Sequence, residues 1–171
     1  MNRLLIAVFI AFASFKGYAN WAIGFNYTEL SESGEIDVNV SAISASLAYA
    51  FPIGDKLSIV PEIKYGLGVG DDSSANGALN IDLEVNHLFG ASIRAQYDVA
   101  ETVYMFASVS HLTVDSRLIF SSSSSSESDT SNDFGAGIGA GWLIFESTSI
   151  ELSYERFDDT NVFSAGFRYA F

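Results

Sequence analysis

The chain has no cysteine, so neither disulfides nor thiolate metal sites can hold it together. Proline is rare, with only Pro52 and Pro61. Basic residues are scarce too: 8 Lys and Arg stand against 21 Asp and Glu, a formal net charge of −13. That balance excludes a nucleic-acid surface, which needs clustered cations. A long apolar run is also missing. The longest, 4–15, falls short of the ~20 residues a helix needs to span a bilayer.

The flanks of that run give it another meaning. Arg3 precedes it, and the small residues of Gly17-Tyr18-Ala19 follow it. This is the layout of a secretory signal peptide. We expect 1–19 to be a cleaved leader and 20–171 to be one domain. Arg3 and Lys16 would leave with the leader, so six basic residues remain against 21 acidic ones, a net charge of −15.

What the domain does have is aromatic residues in alternating series, the period of a strand. Residues 20–30 place Trp21, Ile23, Phe25 and Tyr27 on one face. A second strand over 36–51 carries Ile43, Ala45, Leu47, Tyr49 and Phe51, but Val38 and Val40 have the opposite parity. A bulge near Ala42 would reconcile the two halves. Over 57–69, Leu57, Ile59, Ile63, Tyr65 and Leu67 alternate with Ser58, Glu62, Lys64 and Gly66. Pro61 is awkward there, because it cannot donate to a ladder. In 79–97, Leu79, Ile81, Leu83, Val85, Phe89, Ile93 and Tyr97 oppose Asn80, Asp82, Glu84, Asn86, Ser92, Arg94 and Gln96. The face of 103–120 is ambiguous: Tyr104, Phe106, Leu112 and Val114 compete with Val103, Met105, Ala107 and Val109. Phe134, Ala136, Ile138, Ala140 and Trp142 then interleave with Gly135, Gly137, Gly139 and Gly141. A glycine file of this kind suits a crowded interior. Ile150, Leu152 and Tyr154 oppose Glu151, Ser153 and Glu155, and Phe163, Phe167, Tyr169 and Phe171 close the series.

The expected fold is therefore all-β: an eight-stranded antiparallel up-and-down transmembrane β-barrel. Connections near 52–56, 98–102 and 145–148 are short, while those near 31, 71 and 121–133 are longer and rich in Ser and acids. Outer-membrane barrels pair short periplasmic turns with longer outer loops, which puts both termini in the periplasm. A soluble lipocalin-like barrel is the rival. It should carry its apolar face inward and its charges outward.

The inward parity is charged. Glu62, Lys64, Glu84, Arg94, Glu151, Glu155 and Arg168 all fall on it. Buried singly, each would be costly, so a network of opposite charges is expected. An interior of eight strands is just wide enough for side chains to fill, which favours a plugged lumen over a narrow gated water path.

The last eight residues carry a specific pattern: polar Ser164, one residue, Gly166, two residues, aromatic Tyr169, one residue, then aromatic Phe171. In this the chain resembles the small outer-membrane barrels of Gram-negative bacteria, the OmpA-like and opacity-type superfamily. Phe51-Pro52-Ile53-Gly54, the Gly-x-Gly file and 150–155 resemble it more weakly. The resemblance covers 20–171. The chain departs from it in one respect: OmpA-like proteins often carry a periplasmic peptidoglycan-binding domain after the barrel, and here we expect the barrel domain alone. The resemblance also implies that Ser164, Gly166, Tyr169 and Phe171 form the signal read by the barrel-assembly machinery, by recognition of an edge strand.

Some eight-stranded barrels modify lipid A through a His-x-Ser pair. The nearest match here is His111-Leu112-Thr113, with a poorer nucleophile in the serine position. His87, the other histidine, has lipid-facing parity. No G-x-S-x-G serine setting exists, and we expect no catalytic residue, cofactor or resident metal. The outer loops are acidic, with Glu29, Glu32, Glu35, Asp37, Asp71, Asp72, Asp115, Glu127, Asp129, Asp133, Asp158 and Asp159. Oxygen ligands of this type suit hard divalent cations. Two readings stay open: cation-bridged contact with lipopolysaccharide or an external partner, and a solvated repulsive cap. The sequence thus points to a non-enzymatic outer-membrane barrel with a structural or surface-interaction role. A narrow porin is the alternative, and a lipid A-modifying enzyme comes third.

Overall fold

The computed structural model describes residues 20–32, 38–69, 72–76, 79–120, 126–158 and 160–171, with side chains for 20–31, 40–69, 85–116, 130–158 and 160–171. The leader expected at 1–19 lies outside them. Among the described residues eight strands form the wall: β1 (Trp21–Glu32), β2 (Val38–Tyr49), β3 (Leu57–Gly68), β4 (Leu79–Ala100), β5 (Val103–Phe120), β6 (Ser126–Phe145), β7 (Thr148–Phe157) and β8 (Thr160–Ala170). Each pairs antiparallel with the next in sequence. The ring closes through β1 and β8, from Ala22↔Ala170 to Glu32↔Thr160. The Phe171 N–H donates to the Trp21 carbonyl at 2.8 Å and finishes the seam. Closure removes the edges that an open sheet would have to protect.

The two faces settle the solvent. Every strand turns a large apolar side chain outward: Phe25, Ile43, Ile63, Ile93, Met105, Ile138, Leu152 and Phe167 are all exposed. An apolar belt running around the whole molecule cannot stay dispersed in water, whereas it matches hydrocarbon. Rings gather at the end that holds the termini. Trp21 packs edge-on to Tyr49 at 4.9 Å, Tyr49 meets Phe51 at 4.6 Å, and Tyr169 stacks on Phe171 at 6.3 Å. That is an aromatic girdle of the kind found at a membrane interface. The soluble lipocalin-like alternative needs the opposite polarity.

Three details differ from the alternation read in the sequence or complete it. No bulge occurs near Ala42, because β2 pairs with β1 in unbroken register. Val40 and Ala42 are buried instead in an apolar layer inside one end of the barrel, with Leu30, Leu88, Leu112, Phe157 and Val162. The bulge falls on β4, where register shifts between Val85 and His87. Val85 therefore joins the inner layer rather than the lipid face. The parity that grouped Glu84 with Arg94 runs across this bulge, and the Glu84 side chain lies outside the described residues.

Pro61 is accommodated by a gap. The β2 ladder on β3 stops at Glu62, and the short Phe51–Pro52 segment begins at Ile59. Strand β5 has one clear face: Val103, Met105, Ala107 and Val109 point out, while Tyr104, Phe106, Ser108, Ser110 and Leu112 point in. Its partner explains the choice. Tyr104 pairs with Gly141 and Phe106 with Gly139, and a Cβ at either glycine would collide with the ring beside it. The glycine file is the space into which two inward rings lie.

Strand lengths are uneven. β4, β5 and β6 run 22, 18 and 20 residues, against 10 to 12 for the other five. Beyond the last pairs with β3 (Leu67↔His87) and β7 (Gly135↔Phe157) they continue together as a sheet, with Asp72–Asn76 paired at its side. This extension stands at the end opposite the termini.

Candidate functional site

Alternation on four strands aims charged side chains at one level of the lumen. β3 contributes Glu62, β4 Arg94, β7 Glu151 and β8 Arg168, each between 6% and 9% exposed. Arg94 donates through Nη1 to both Glu151 oxygens at 3.1 and 3.2 Å, and through Nη2 to both Glu62 oxygens at 3.3 and 3.2 Å. Arg168 donates through Nε to Glu151 at 2.7 Å and through Nη2 to Glu62. The four groups form a closed, electrically neutral ring in which each cation meets both anions. Such geometry offsets the desolvation that would otherwise forbid four buried charges.

Strand β5 supplies the second tier of contacts. The Tyr104 hydroxyl donates to Glu151 Oε1 at 2.5 Å. Its one proton is thereby used, so Ser149 Oγ, 2.7 Å away, is the donor to Tyr104. The Arg94 guanidinium lies over the Phe106 ring, 4.1 Å from its centroid, a favourable cation–π placement. One level further from the termini, Lys64 Nζ stands 3.5 Å from Glu155, which also accepts from Ser108 at 3.1 Å and Ser110 at 2.5 Å. Tyr104, Phe106, Ser108 and Ser110 were not picked out as site residues in the sequence. The glycines facing them were the available signal.

The lumen is layered along its axis. At the terminal end a vestibule of about 710 Å³ reaches in to Tyr104, Ser149 and Arg168. The charged ring comes next, then the Lys64–Glu155 level, then the apolar layer. Among the described residues, the spaces around the charges and beneath the apolar layer are only about 20 and 10 Å³.

Neither histidine enters this interior. Half-exposed His87 stacks on Tyr65 and stands 4.0 Å from Asp115, which also accepts from Asn86 at 3.1 Å. His111 meets Phe134 edge-on at 4.7 Å. The Thr113 hydroxyl donates to Asn132 at 2.8 Å. Of the acidic loop residues, Glu29, Asp115, Asp133 and Asp158 have described side chains. Glu32, Glu35, Asp37, Asp71, Asp72, Glu127, Asp129 and Asp159 lie outside them.

The terminal pattern sits across both faces of β8. Ser164 is buried, its Oγ 3.0 Å from Thr28 Oγ1. Gly166 lies so close to Phe25 and Asn26 that no Cβ would fit. Tyr169 faces outward beside Phe171.

No protein-family model and no curated protein sequence matches the chain. Solved structures do. Neisserial surface protein A superposes with a TM-score of 0.63 at 13% identity, over 91% of this chain and 100% of that one. Ail, the attachment invasion locus protein of Yersinia pestis, gives 0.59 at 16% identity, over 88% and 96%. The backbone structure of the outer membrane protein Ail in a phospholipid bilayer nanodisc gives 0.54 at 19%, over 88% and 98%. At such identities the likeness lies in the fold. In fold, this chain is an eight-stranded antiparallel transmembrane β-barrel, the architecture it shares with these proteins.

Proposed function

We propose that the chain is a non-conducting, non-enzymatic barrel of a Gram-negative outer membrane, with periplasmic termini and an outer sheet that contacts a surface partner. The carrying observation is the uneven wall: three strands of 18 to 22 residues extend past their neighbours at the end away from the termini. Membrane crossing needs only ~9–11 residues, so the surplus serves something outside the bilayer. The layered lumen supports the non-conducting part, because charge pairs and apolar side chains occupy the axis between vestibule and outer end.

Charge narrows the partner. One Ail structure was solved in complex with the heparin analogue sucrose octasulfate. Here Lys64, Arg94 and Arg168 are committed to the lumen. Arg156 is the one Lys or Arg with a described side chain exposed at the outer end. A cationic partner, or lipopolysaccharide phosphate bridged by divalent cations to the acidic loops, fits this surface better than a polyanion.

Because the chain lacks cysteine, single cysteines can report orientation. Ser131→Cys on the outer sheet should react with a membrane-impermeant maleimide on intact cells, and Glu146→Cys in a terminal-end turn should not. The reverse pattern would overturn the orientation. Purified protein in planar bilayers should give no discrete openings; regular steps would overturn the non-conducting reading in favour of a narrow porin.

A further inference from the structure

Small inward side chains hollow out the terminal end of the lumen. Ala22 pairs with Ala48 on one side and Ala170 on the other, and all three line the vestibule. Its volume of about 710 Å³ is within the ~300–1,000 Å³ typical of small-molecule sites. The two ends of this space differ in charge. Of the four members of the charged ring, only Arg168 lines it. Nε and Nη2 of Arg168 are engaged by Glu151 and Glu62, and those carboxylates border a separate space of about 20 Å³ on the far side. The remaining corner, Nη1, is left on the vestibule side, buried and without a partner among the described residues. A buried donor of this kind costs stability until an acceptor meets it. At the mouth, the three short turns bring in exposed Asp55, Asp98, Glu101 and Glu146, with Lys56 the one opposing cation among the described lining residues there.

We propose that the vestibule binds a short zwitterionic peptide, its carboxylate at Arg168 and its ammonium among the carboxylates of the mouth. The two poles select this class. A simple anion suits the orphaned Arg168 donor but must pass four carboxylates, and a polyamine suits the mouth but brings no acceptor to the floor. Depth selects the length. Glu146 precedes Ser149, the ladder partner of Arg168, by three residues, a rise of ~10 Å along a strand. A single amino acid is too short for that span, whereas three extended residues cover ~10 Å. The site is independent of the outer sheet and of which way the barrel faces.

The test is a methyl NMR titration of the alanine-labelled barrel in micelles with triglycine, triglycine amide and N-acetyltriglycine. Triglycine should shift the Ala22, Ala48 and Ala170 methyl signals saturably and leave Ala45 and Ala107, on the outward face, unmoved. The amide and the acetylated peptide each lack one charge and should bind roughly tenfold more weakly. The variant Asp98→Asn/Glu101→Gln/Glu146→Gln changes exposed groups only. It should weaken triglycine by roughly threefold to fivefold and leave N-acetyltriglycine no weaker. Heat-modifiable gel migration checks that this variant is folded. Four results would each overturn the proposal: no saturable shift at the three vestibule methyls, equal shifts at Ala45 and Ala107, a blocked peptide binding as well as triglycine, or unchanged triglycine affinity in the folded variant.

Discussion

Arg94 and Arg168, on strands that are not neighbours, grip the same two carboxylates. β4 and β8 lie on opposite sides of the wall, so Glu62 and Glu151 bridge them through the lumen. The barrel is therefore tied across its diameter as well as around its circumference.

Breaking this cross-tie should be costly. Arg168→Met leaves Glu62 and Glu151 with one cation between them, and removing one partner of a buried pair typically costs ~3–5 kcal/mol. Urea unfolding of the vesicle-inserted barrel should show a loss of that order. The double variant Arg168→Met/Glu62→Gln should lose less than the sum of the single changes, since the two groups are directly coupled.

Tyr104→Phe keeps the ring over Gly141 and removes only the hydroxyl. Glu151 then loses a charge-assisted hydrogen bond and Ser149 loses its acceptor. A loss of ~1.5–3 kcal/mol is expected, read by the same unfolding assay. No change would mean that the hydroxyl is idle.

Gly139→Ala tests the glycine file. The new methyl would strike the Phe106 ring, and overpacking of this kind usually costs ~1–3 kcal/mol. Adding Phe106→Leu should recover part of that loss. Ala140→Val, on the outward face, should be nearly neutral.

These inward positions show where the sequence was readable and where it was not. Parity was plain on β3, β7 and β8, where charge and aromatic residues alternate cleanly, as in Glu62, Glu151 and Arg168 against Ile63, Leu152 and Phe167. It was misleading on β2 and in the outer half of β4. A period-of-two reading assumes that inside means polar, and the inner layer of Leu30, Val40, Val85 and Leu112 is apolar. The bulge at Asn86 carries no warning in composition, because two polar residues in succession look like a loop edge. On β5 both faces are apolar, so only the glycines on the neighbouring strand could decide the register, and they do so through sterics that a single strand does not reveal.

Loss of Phe171 should affect assembly more than the finished barrel. Its N–H completes the β1–β8 seam and its ring stacks on Tyr169. Both contacts lie at the edge of a structure held by a long ladder. A variant ending at Ala170 should refold into detergent with near-normal urea resistance, yet reach the outer membrane of cells at a severalfold lower level. Equal membrane levels would show that the terminal aromatic is not read during assembly.

The lumen's charges also determine how the barrel meets its neighbours. Among the described residues, Glu62, Glu151 and Glu155 balance Lys64, Arg94 and Arg168 at the two charged levels of the lumen, so the chain's net negative charge resides outside those two levels. Mobile ions screen exposed charges over ~8–10 Å but reach buried pairs far less. Salt should therefore act on the distances between barrels rather than on the strength of any one. At low ionic strength the net negative charge should hold copies apart in the membrane plane, and at high ionic strength they should crowd, each one internally unchanged.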